Sequence, residues 1–213
     1  NPKFVYYGVN YLRLIIPKFF FRIRLKKELE KPERLAGGHR LCAGCGAGIA
    51  VRGVLRALEP EDKAVITNAT GCLEVFSTPY PETSWQLPWF HSLFGNTAAV
   101  GSGMAAVARV KAKKSGKPLV RVIAQGGDGG TTDIGFGCLS GMFERNDDVL
   151  YICYDNEGYM NTGVQRSSAT PPAVRTATTQ IVGKHPGNAF GQGKDVPLIA
   201  MAHGIPYVAT ATI

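Results

Sequence analysis

The sequence predicts an α/β domain: a mostly parallel sheet with helices on both faces. Three observations carry that expectation. A β-branched run, LVRVIAQ (119–125), breaks at the glycines of Gly127-Asp128-Gly129-Gly130. Apolar residues at helical spacing follow (Ile134, Phe136, Leu139, Met142, Phe143), and then a second buried-strand pattern, DVLYICYDN (148–156). Strand, glycine turn, helix and strand form a βαβ unit, whose crossover is right-handed in nearly every case.

The elements can be justified in order. Residues 1–36 form a basic, aromatic arm closed by Gly37-Gly38, and residues 37–213 form the domain. Of the 24 Lys/Arg and 16 Asp/Glu, ten and three fall in residues 1–40, so the net charge of +8 belongs almost wholly to the arm. The near-neutral body has no basic stripe and no nucleic-acid motif, so no nucleic-acid partner is expected. Within the arm, Arg13, Pro17 and Lys18 interrupt the apolar run, which excludes a membrane span. Charge on both sides and the lack of a small-residue cleavage site exclude a secretory signal. An arm with this much apolar surface is expected to wrap a partner subunit, an interfacial membrane segment being the alternative.

LCAGCGAGIAVRGVLRAL reads as a Cys-rich turn entering a helix with Ile49, Val51, Val54, Leu55 and Leu58 as its apolar set. KAVITNATG reads as a strand into a turn at Gly71. Residues 78–95, rich in Pro and aromatics, read as an irregular functional segment, with Trp85, Trp89 and Phe90 placed to exclude water or simply to fill the core. TAAVGSGMAAVARVKAKKSG is a helix with a small-residue face (Ala98, Gly101, Ala105, Ala108), a basic end and a glycine cap. After the βαβ unit come a long Gly/Ser/Thr loop (157–193), a short helix in VPLIAMAHG and a final strand in IPYVATATI. A parallel sheet wants a helix after that strand, so the domain is expected to be incomplete at its C-terminal end.

Two constellations carry chemistry. Asn156 follows Asp128 by 28 positions. Right-handed βαβ geometry puts the carboxylate and the amide on the same edge of the sheet, where α/β folds open their ligand crevice. Two oxygen ligands beside a glycine turn suit a hard divalent cation holding a diphosphate. The blander reading is a capped strand-to-helix turn. The second constellation is Cys42-Ala-Gly-Cys45, with Cys72 27 residues beyond Cys45. Thiolates at this spacing fit a metal or iron–sulfur cluster, a redox dithiol, or a half-formed zinc site that His39 would extend. Cys138 and Cys153 read as buried small hydrophobes. With no signal peptide and an odd cysteine count a disulfide framework is not expected, and the chain reads as cytoplasmic. His91 and Arg166 are candidates for substrate contact, or a structural histidine and a solvated loop arginine.

From Leu41 to Ile213, the motifs LCAGCG, NATGCLE, TPYPETSW, PWFHSLFGN, GDGGTTDIG, CYDNEGYMNTGVQRSSATP and AHGIPYVATA resemble the β subunit of pyruvate:ferredoxin oxidoreductase and related 2-oxoacid:ferredoxin oxidoreductases. The resemblance implies the thiamine diphosphate-binding fold, in its diphosphate-type domain. It implies Mg²⁺ held by Asp128, Asn156 and the backbone carbonyl of Gly158. Gly127, Gly129 and Gly130 would line the diphosphate, with Gly46, Ala47 and Tyr159 also at the cofactor. Asn161 and Thr162 would face the thiazolium and substrate as catalytic residues. Cys42, Cys45 and Cys72 would be three ligands of a 4Fe-4S cluster, Cys72 also touching the cofactor. The family's fourth cluster cysteine has no counterpart here, and its activating glutamate comes from elsewhere, since Glu74 and Glu157 do not sit in its motif. The implied activity is oxidative decarboxylation of a 2-oxoacid, pyruvate by default, to an acyl-CoA and CO₂. The implied partners are an α subunit, γ/δ-type subunits, and ferredoxin or another electron acceptor; a membrane role is not expected. A non-oxidative thiamine diphosphate decarboxylase or lyase subunit, or a non-catalytic zinc-binding assembly subunit, is the alternative.

Overall fold

In a computed structural model, residues 30–79 and 81–212 are described. The expected roles of the arm's first 29 residues, partner wrapping or membrane contact, lie outside them. The elements run α1 (Ala47–Arg56), β1 (Ala64–Asn68), α2 (Cys72–Ser77), β2 (Trp89–His91), α3 (Thr97–Ser115) and β3 (Arg121–Gly127). A π-helical segment (Gly129–Ile134) follows, then α4 (Phe136–Glu144), β4 (Leu150–Tyr154), the short β5 (Ile181–Val182) and β6 (His185–Pro186), and α5 (Val196–Ala202).

The main sheet has the order β2-β1-β3-β4 and is parallel throughout. Side chains of a strand alternate between faces, and here each face has its own core. Val122 and Ala124 of β3 pack with Leu139, Met142, Phe143 and Ala200, under α3, α4 and α5. Ile123, between them in sequence, packs on the other face with Val51, Leu55, Phe76 and Trp85, under α1 and α2. The predicted fold class, helices on both faces of a parallel sheet, is therefore the observed one. The small-residue face of α3 acts as expected: a Cβ built on Gly101 would lie 3.1 Å from the Ala124 methyl, so the helix sits directly on the sheet. Gly116, in the left-handed region at φ 64°, caps it and donates to Ala112 O.

Several local expectations need correction. Ile49 is 68% exposed, not part of the buried face of α1, because Gly48, Val51 and Leu55 set that face. Inside the segment read as irregular, Trp89–His91 forms β2 and completes the sheet edge against β1. The glycine turn does not lead straight into an α-helix; Gly129–Ile134 is wound as a π-helix first, with Gly135 N–H donating to Gly130 O at 3.0 Å. No strand forms within 205–212, since no described strand pairs with that segment and a strand exists only through its partner. The last residues of the arm are built into the body: Leu35 is fully buried, and its backbone bridges Trp85.

Candidate functional site

Because the sheet is parallel, the loops after β1, β2, β3 and β4 emerge on one edge. The chain leaves β1 toward β2 through α2 on one face, and leaves β3 toward β4 through α4 on the other. The strand order thus reverses direction between β1 and β3, and such a switch point opens a crevice beyond the strand ends. Its walls are Ala69–Cys72 after β1 and the Asp128 turn after β3. Ala69 N–H donates to Gln125 O at 3.0 Å, and the Ala69 methyl lies 3.6 Å from where a Gly130 Cβ would be.

Asp128 closes β3 and is 1% exposed. Burial pushes its carboxyl up to about 6, the nearby Asp155 charge adds to this, and a hydrogen bond from Ser167 opposes it. Asn156 follows β4, and its amide terminus lies 2.8 Å from Gly158 O and 3.0 Å from Asp128 Oδ1. With the amide nitrogen turned inward, Asn156 donates to both. With the amide oxygen inward, three acceptors face one another, an arrangement that is repulsive unless a cation sits among them. A carboxylate, an amide and a backbone carbonyl are the hard oxygen donors Mg²⁺ takes, so Asp128, Asn156 and Gly158 fit such an ion. The expected trio is brought together.

The glycines divide by role. Around Gly127 the nearest atom to an added Cβ would be Tyr154 O at 3.9 Å, and around Gly130 the Ala69 methyl at 3.6 Å, so a Cβ would make only ordinary contacts at either; Gly127 is partly exposed and Gly130 is buried. A Cβ on Gly129 would instead fall 2.4 Å from the Tyr159 ring. Gly129 is thus small for Tyr159. The Tyr159 hydroxyl donates to Asp133 Oδ2 at 2.8 Å, and its ring stacks on Phe94 at 6.0 Å. Burial, then Asp133, raises the phenol's pKa and keeps it a donor. Tyr159 therefore braces the loop against the π-helical turn.

Cys42 and Cys45 are exposed and joined by a tight turn, Cys45 N–H to Cys42 O at 3.1 Å. Cys72 opens α2 and is half-buried. Burial raises its thiol pKa, and the charges of Cys45 and Cys42 raise it further, so all three sulfurs share one neighbourhood. Among the described residues, no three His, Cys, Asp or Glu side chains converge as tightly as one metal ion needs. His39 stacks edge-on to Phe76 at 5.8 Å and contacts Arg52. Cys153 and Cys138, read as buried, are only partly so and pack against the edge of one core; burial pushes the Cys153 thiol up to about 12.

The other candidates fall as follows. Gly46 precedes α1, and no side chain caps the N–H groups of the turn that begins at Ala47. Asn161 and Thr162 sit exposed in the loop after β4; the Asn161 backbone N–H lowers the Cys72 thiol pKa against the effect of burial, and the Thr162 hydroxyl donates to Gln165 Oε1 at 2.5 Å. His91 meets Thr70 Oγ1 at 2.5 Å and stacks on Trp89. Arg166 is spent inside its own loop, on Asn188 Oδ1, Phe190 O and the Phe190 ring. Trp85 is buried and stacked on Trp89, while Phe90 is exposed. Sequence reasoning missed Asp133, Ser167, Ser168 and Lys194. Asp133 accepts from Tyr159 and Ser168, and Lys194 lies 3.9 Å away, which pins the 157–195 loop onto the π-helical turn. The available signal was the paired serines in RSSATP and the five-residue spacing of the two acids.

Residues 69–213 match the family model of the thiamine pyrophosphate enzyme, C-terminal TPP binding domain. The chain is 53% identical over 189 residues to pyruvate synthase subunit PorB of Methanocaldococcus jannaschii, covering 87% of this chain and 62% of that protein. It is 47% identical to the subunit of the same name in Pyrococcus furiosus (88% and 57% covered) and 41% identical to ketoisovalerate oxidoreductase subunit VorB of Pyrococcus abyssi (89% and 61%). The chain thus spans about three fifths of the length of these curated relatives. The solved 2-oxoglutarate:ferredoxin oxidoreductase from Magnetococcus marinus superposes with a TM-score of 0.61 at 23% identity, covering 80% of this chain and 53% of that one, a likeness of fold. An Asp–Asn–Gly oxygen trio at a parallel-sheet switch point, inside a match over most of the chain, places this protein among the thiamine pyrophosphate enzymes, with their C-terminal TPP-binding domain.

Proposed function

We propose that the chain is the thiamine diphosphate-binding β subunit of a 2-oxoacid:ferredoxin-type oxidoreductase. Its reaction converts a 2-oxoacid, pyruvate by default, and coenzyme A to an acyl-CoA and CO₂. A 4Fe-4S cluster, for which Cys42, Cys45 and Cys72 would be ligands, would supply the electron path to ferredoxin or another acceptor. The observation that carries the reading is the convergence of Asp128, Asn156 and Gly158 oxygens beside the loop that bears Cys72, with Cys42 and Cys45 nearby. A non-oxidative thiamine enzyme has a use for the oxygens and none for the sulfurs. The names of the relatives, pyruvate synthase and ketoisovalerate oxidoreductase subunits, support the oxidative assignment.

Bound thiamine diphosphate supplies a nucleophilic carbon and an electron sink for decarboxylation. In this reading Asp128, Asn156 and the Gly158 carbonyl hold Mg²⁺ against the diphosphate. Gly127 and Gly130 let backbone N–H groups approach its oxygens, and the uncapped start of α1 at Gly46 and Ala47 adds donors. Asn161 and Thr162 stand on the loop that would cover the reacting end. Cys42, Cys45 and Cys72 supply three cluster ligands close to that loop. The α and γ/δ-type subunits complete the complex. All five cysteines are free, which suits a reducing cytoplasm, and among the described residues no helix is long and apolar enough to cross a membrane.

The test is anaerobic turnover of the intact complex on a panel of 2-oxoacids with coenzyme A and a viologen acceptor. Oxoacid-dependent dye reduction, together with an EPR signal on reduction, supports the reading. Aldehyde formation without dye reduction points to a non-oxidative enzyme, and bound zinc without thiamine to an assembly subunit.

A further inference from the structure

Two acids five residues apart, Asp128 just before the π-helical turn and Asp133 within it, are held by two consecutive serines. Ser167 donates its hydroxyl to Asp128 Oδ2 at 2.5 Å. Ser168 donates its backbone N–H to both Asp133 oxygens at 3.2 Å, and its hydroxyl to Asp133 Oδ1. The i to i+5 spacing of a π-turn brings such residues to one side of the segment, where a Ser-Ser pair reaches both. The two pairs differ in depth. Ser167 and Asp128 are sealed, at 0% and 1% exposure, whereas Asp133 and Ser168 are partly open.

Behind Ser167 the chain of hydrogen bonds continues. Its backbone N–H donates to Thr170 Oγ1 at 2.9 Å, and the buried Thr170 hydroxyl donates to Glu157 O at 2.6 Å. Glu157 adopts a left-handed backbone at φ 66°, uncommon for a residue with a Cβ, and it stands between Asn156 and Gly158. Asp155 Oδ1 accepts from Glu157 N–H at 2.9 Å and holds the other side of that residue. The strained residue is thus clamped at both its N–H and its C=O.

We propose that Ser167, backed by Thr170, is a positioning residue for the cation site: it engages one Asp128 oxygen so that the other faces Asn156 and Gly158, and through Thr170 it holds the Glu157 turn that aims those two ligands. The proposal rests on the Mg²⁺–diphosphate reading above. A carboxylate free to rotate about its last torsion offers either oxygen, or both, to an ion. One with Oδ2 occupied offers Oδ1 alone, in the direction the Asn156 amide already marks. The neighbouring Ser168–Asp133 pair fastens the same loop without touching the three ligand oxygens, and so provides an internal control.

The experiment uses the intact complex, purified anaerobically and stripped of cofactor. Mg²⁺ is titrated at fixed thiamine diphosphate, with bound cofactor read by calorimetry and melting temperature read in parallel. Ser167→Ala is expected to raise the Mg²⁺ half-saturation by about 10- to 100-fold, as loss of a ligand-orienting partner does, with kcat at saturating Mg²⁺ close to wild type. Ser167→Thr, which keeps the hydroxyl, and Ser168→Ala are expected to stay within about threefold. Should Ser167→Ala fail to assemble, Ser167→Cys, similar in volume and a weak donor, takes its place under the same criteria. A wild-type Mg²⁺ dependence in the variant lacking the hydroxyl, or an equal loss in Ser168→Ala, overturns the proposal. A wild-type complex that binds thiamine diphosphate without any divalent cation overturns the functional reading instead.

Discussion

The backbone N–H of Asn161 faces the sulfur of Cys72 and holds its thiol pKa down against the upward pull of burial, so the loop after β4 approaches the loop after β1. Asp128 lies near enough for its charge to be felt at the same sulfur. The cysteine is thus the meeting point of the candidate cluster and the candidate cofactor cradle. Hydrogen bonds to cluster sulfurs tune potential and hold geometry. Cys72→Ser in the anaerobic complex is expected to remove or severely diminish the EPR signal of the reduced cluster. Thiamine diphosphate retention should still depend on Mg²⁺, because Asp128, Asn156 and Gly158 are untouched. An unchanged cluster signal would sink the assignment of Cys72 as a ligand.

Gly135 separates the π-helical segment from α4, and a Cβ there would lie 2.1 Å from Gly130 O and 2.8 Å from Gly95 O. Both obstacles are backbone and cannot swing aside as a side chain would. Gly135→Ala is therefore expected to lower stability by about 1–3 kcal/mol, the usual cost of overpacking or more, and to weaken cofactor binding by shifting Gly130. Gly53, inside α1 with nothing within 4 Å, is the counter-case. Gly53→Ala should add about 0.5–1 kcal/mol through helix propensity. Melting temperatures of the two variants, moving in opposite directions, check the pair.

The parts of this fold that could be read from sequence are those whose information is local. The βαβ unit announced itself through the β-branched run ending at Gln125, the helical spacing of Leu139, Met142 and Phe143, and the run containing Tyr151. Asp128 and Asn156 followed from it, since the two parallel strands of such a unit end on one edge. What stayed hidden was set by distant partners. β2 is three residues among prolines and aromatics, and only pairing with β1 makes it a strand. Residues 205–212 alternate like a strand and have no strand partner among the described residues. Ile49 fits a helical stripe but faces out, because burial depends on what packs against α1. Ser167 reaches Asp128 across 39 positions of sequence, and no periodicity encodes that contact.

Leu35 is fully buried against Val51, Leu55, Ile66 and Trp85, far from the cofactor edge in function yet central to one of the two cores. Its neighbours are joined to the Pro/aromatic segment by Ala36 N–H to Ser84 O at 2.8 Å and Gln86 N–H to Arg34 O at 3.0 Å. Leu35→Ala leaves a cavity in a packed interior and is expected to cost about 2–5 kcal/mol. Chemical denaturation of the variant should show the loss as a lower midpoint. A cost below about 1 kcal/mol would mean that residues 31–36 are not part of the cooperative core.

Asp128 links pH to cofactor binding, and the direction can be worked out. Its carboxyl stands at about 6 instead of the ordinary 3.8, chiefly through burial. A raised carboxyl favours the protonated form in the folded chain. Its contribution to cofactor-free stability is therefore fully present below the unfolded value near 3.8 and is lost as pH rises through about 6. A cation requires the ionised form, so protons compete with Mg²⁺. Below pH about 6, Mg²⁺-dependent affinity for thiamine diphosphate should fall by about tenfold per pH unit. Above it, affinity should level off, and bound Mg²⁺ should offset the loss of stability. Asp128→Asn, isosteric and uncharged, is expected to abolish Mg²⁺-dependent retention at every pH while leaving the cluster colour. Calorimetric titrations at pH 5.0, 6.0 and 7.5 on the stripped complex decide the matter. An affinity that does not change between pH 5 and pH 7.5 would mean that the buried carboxylate of Asp128 is not the group that binds the ion.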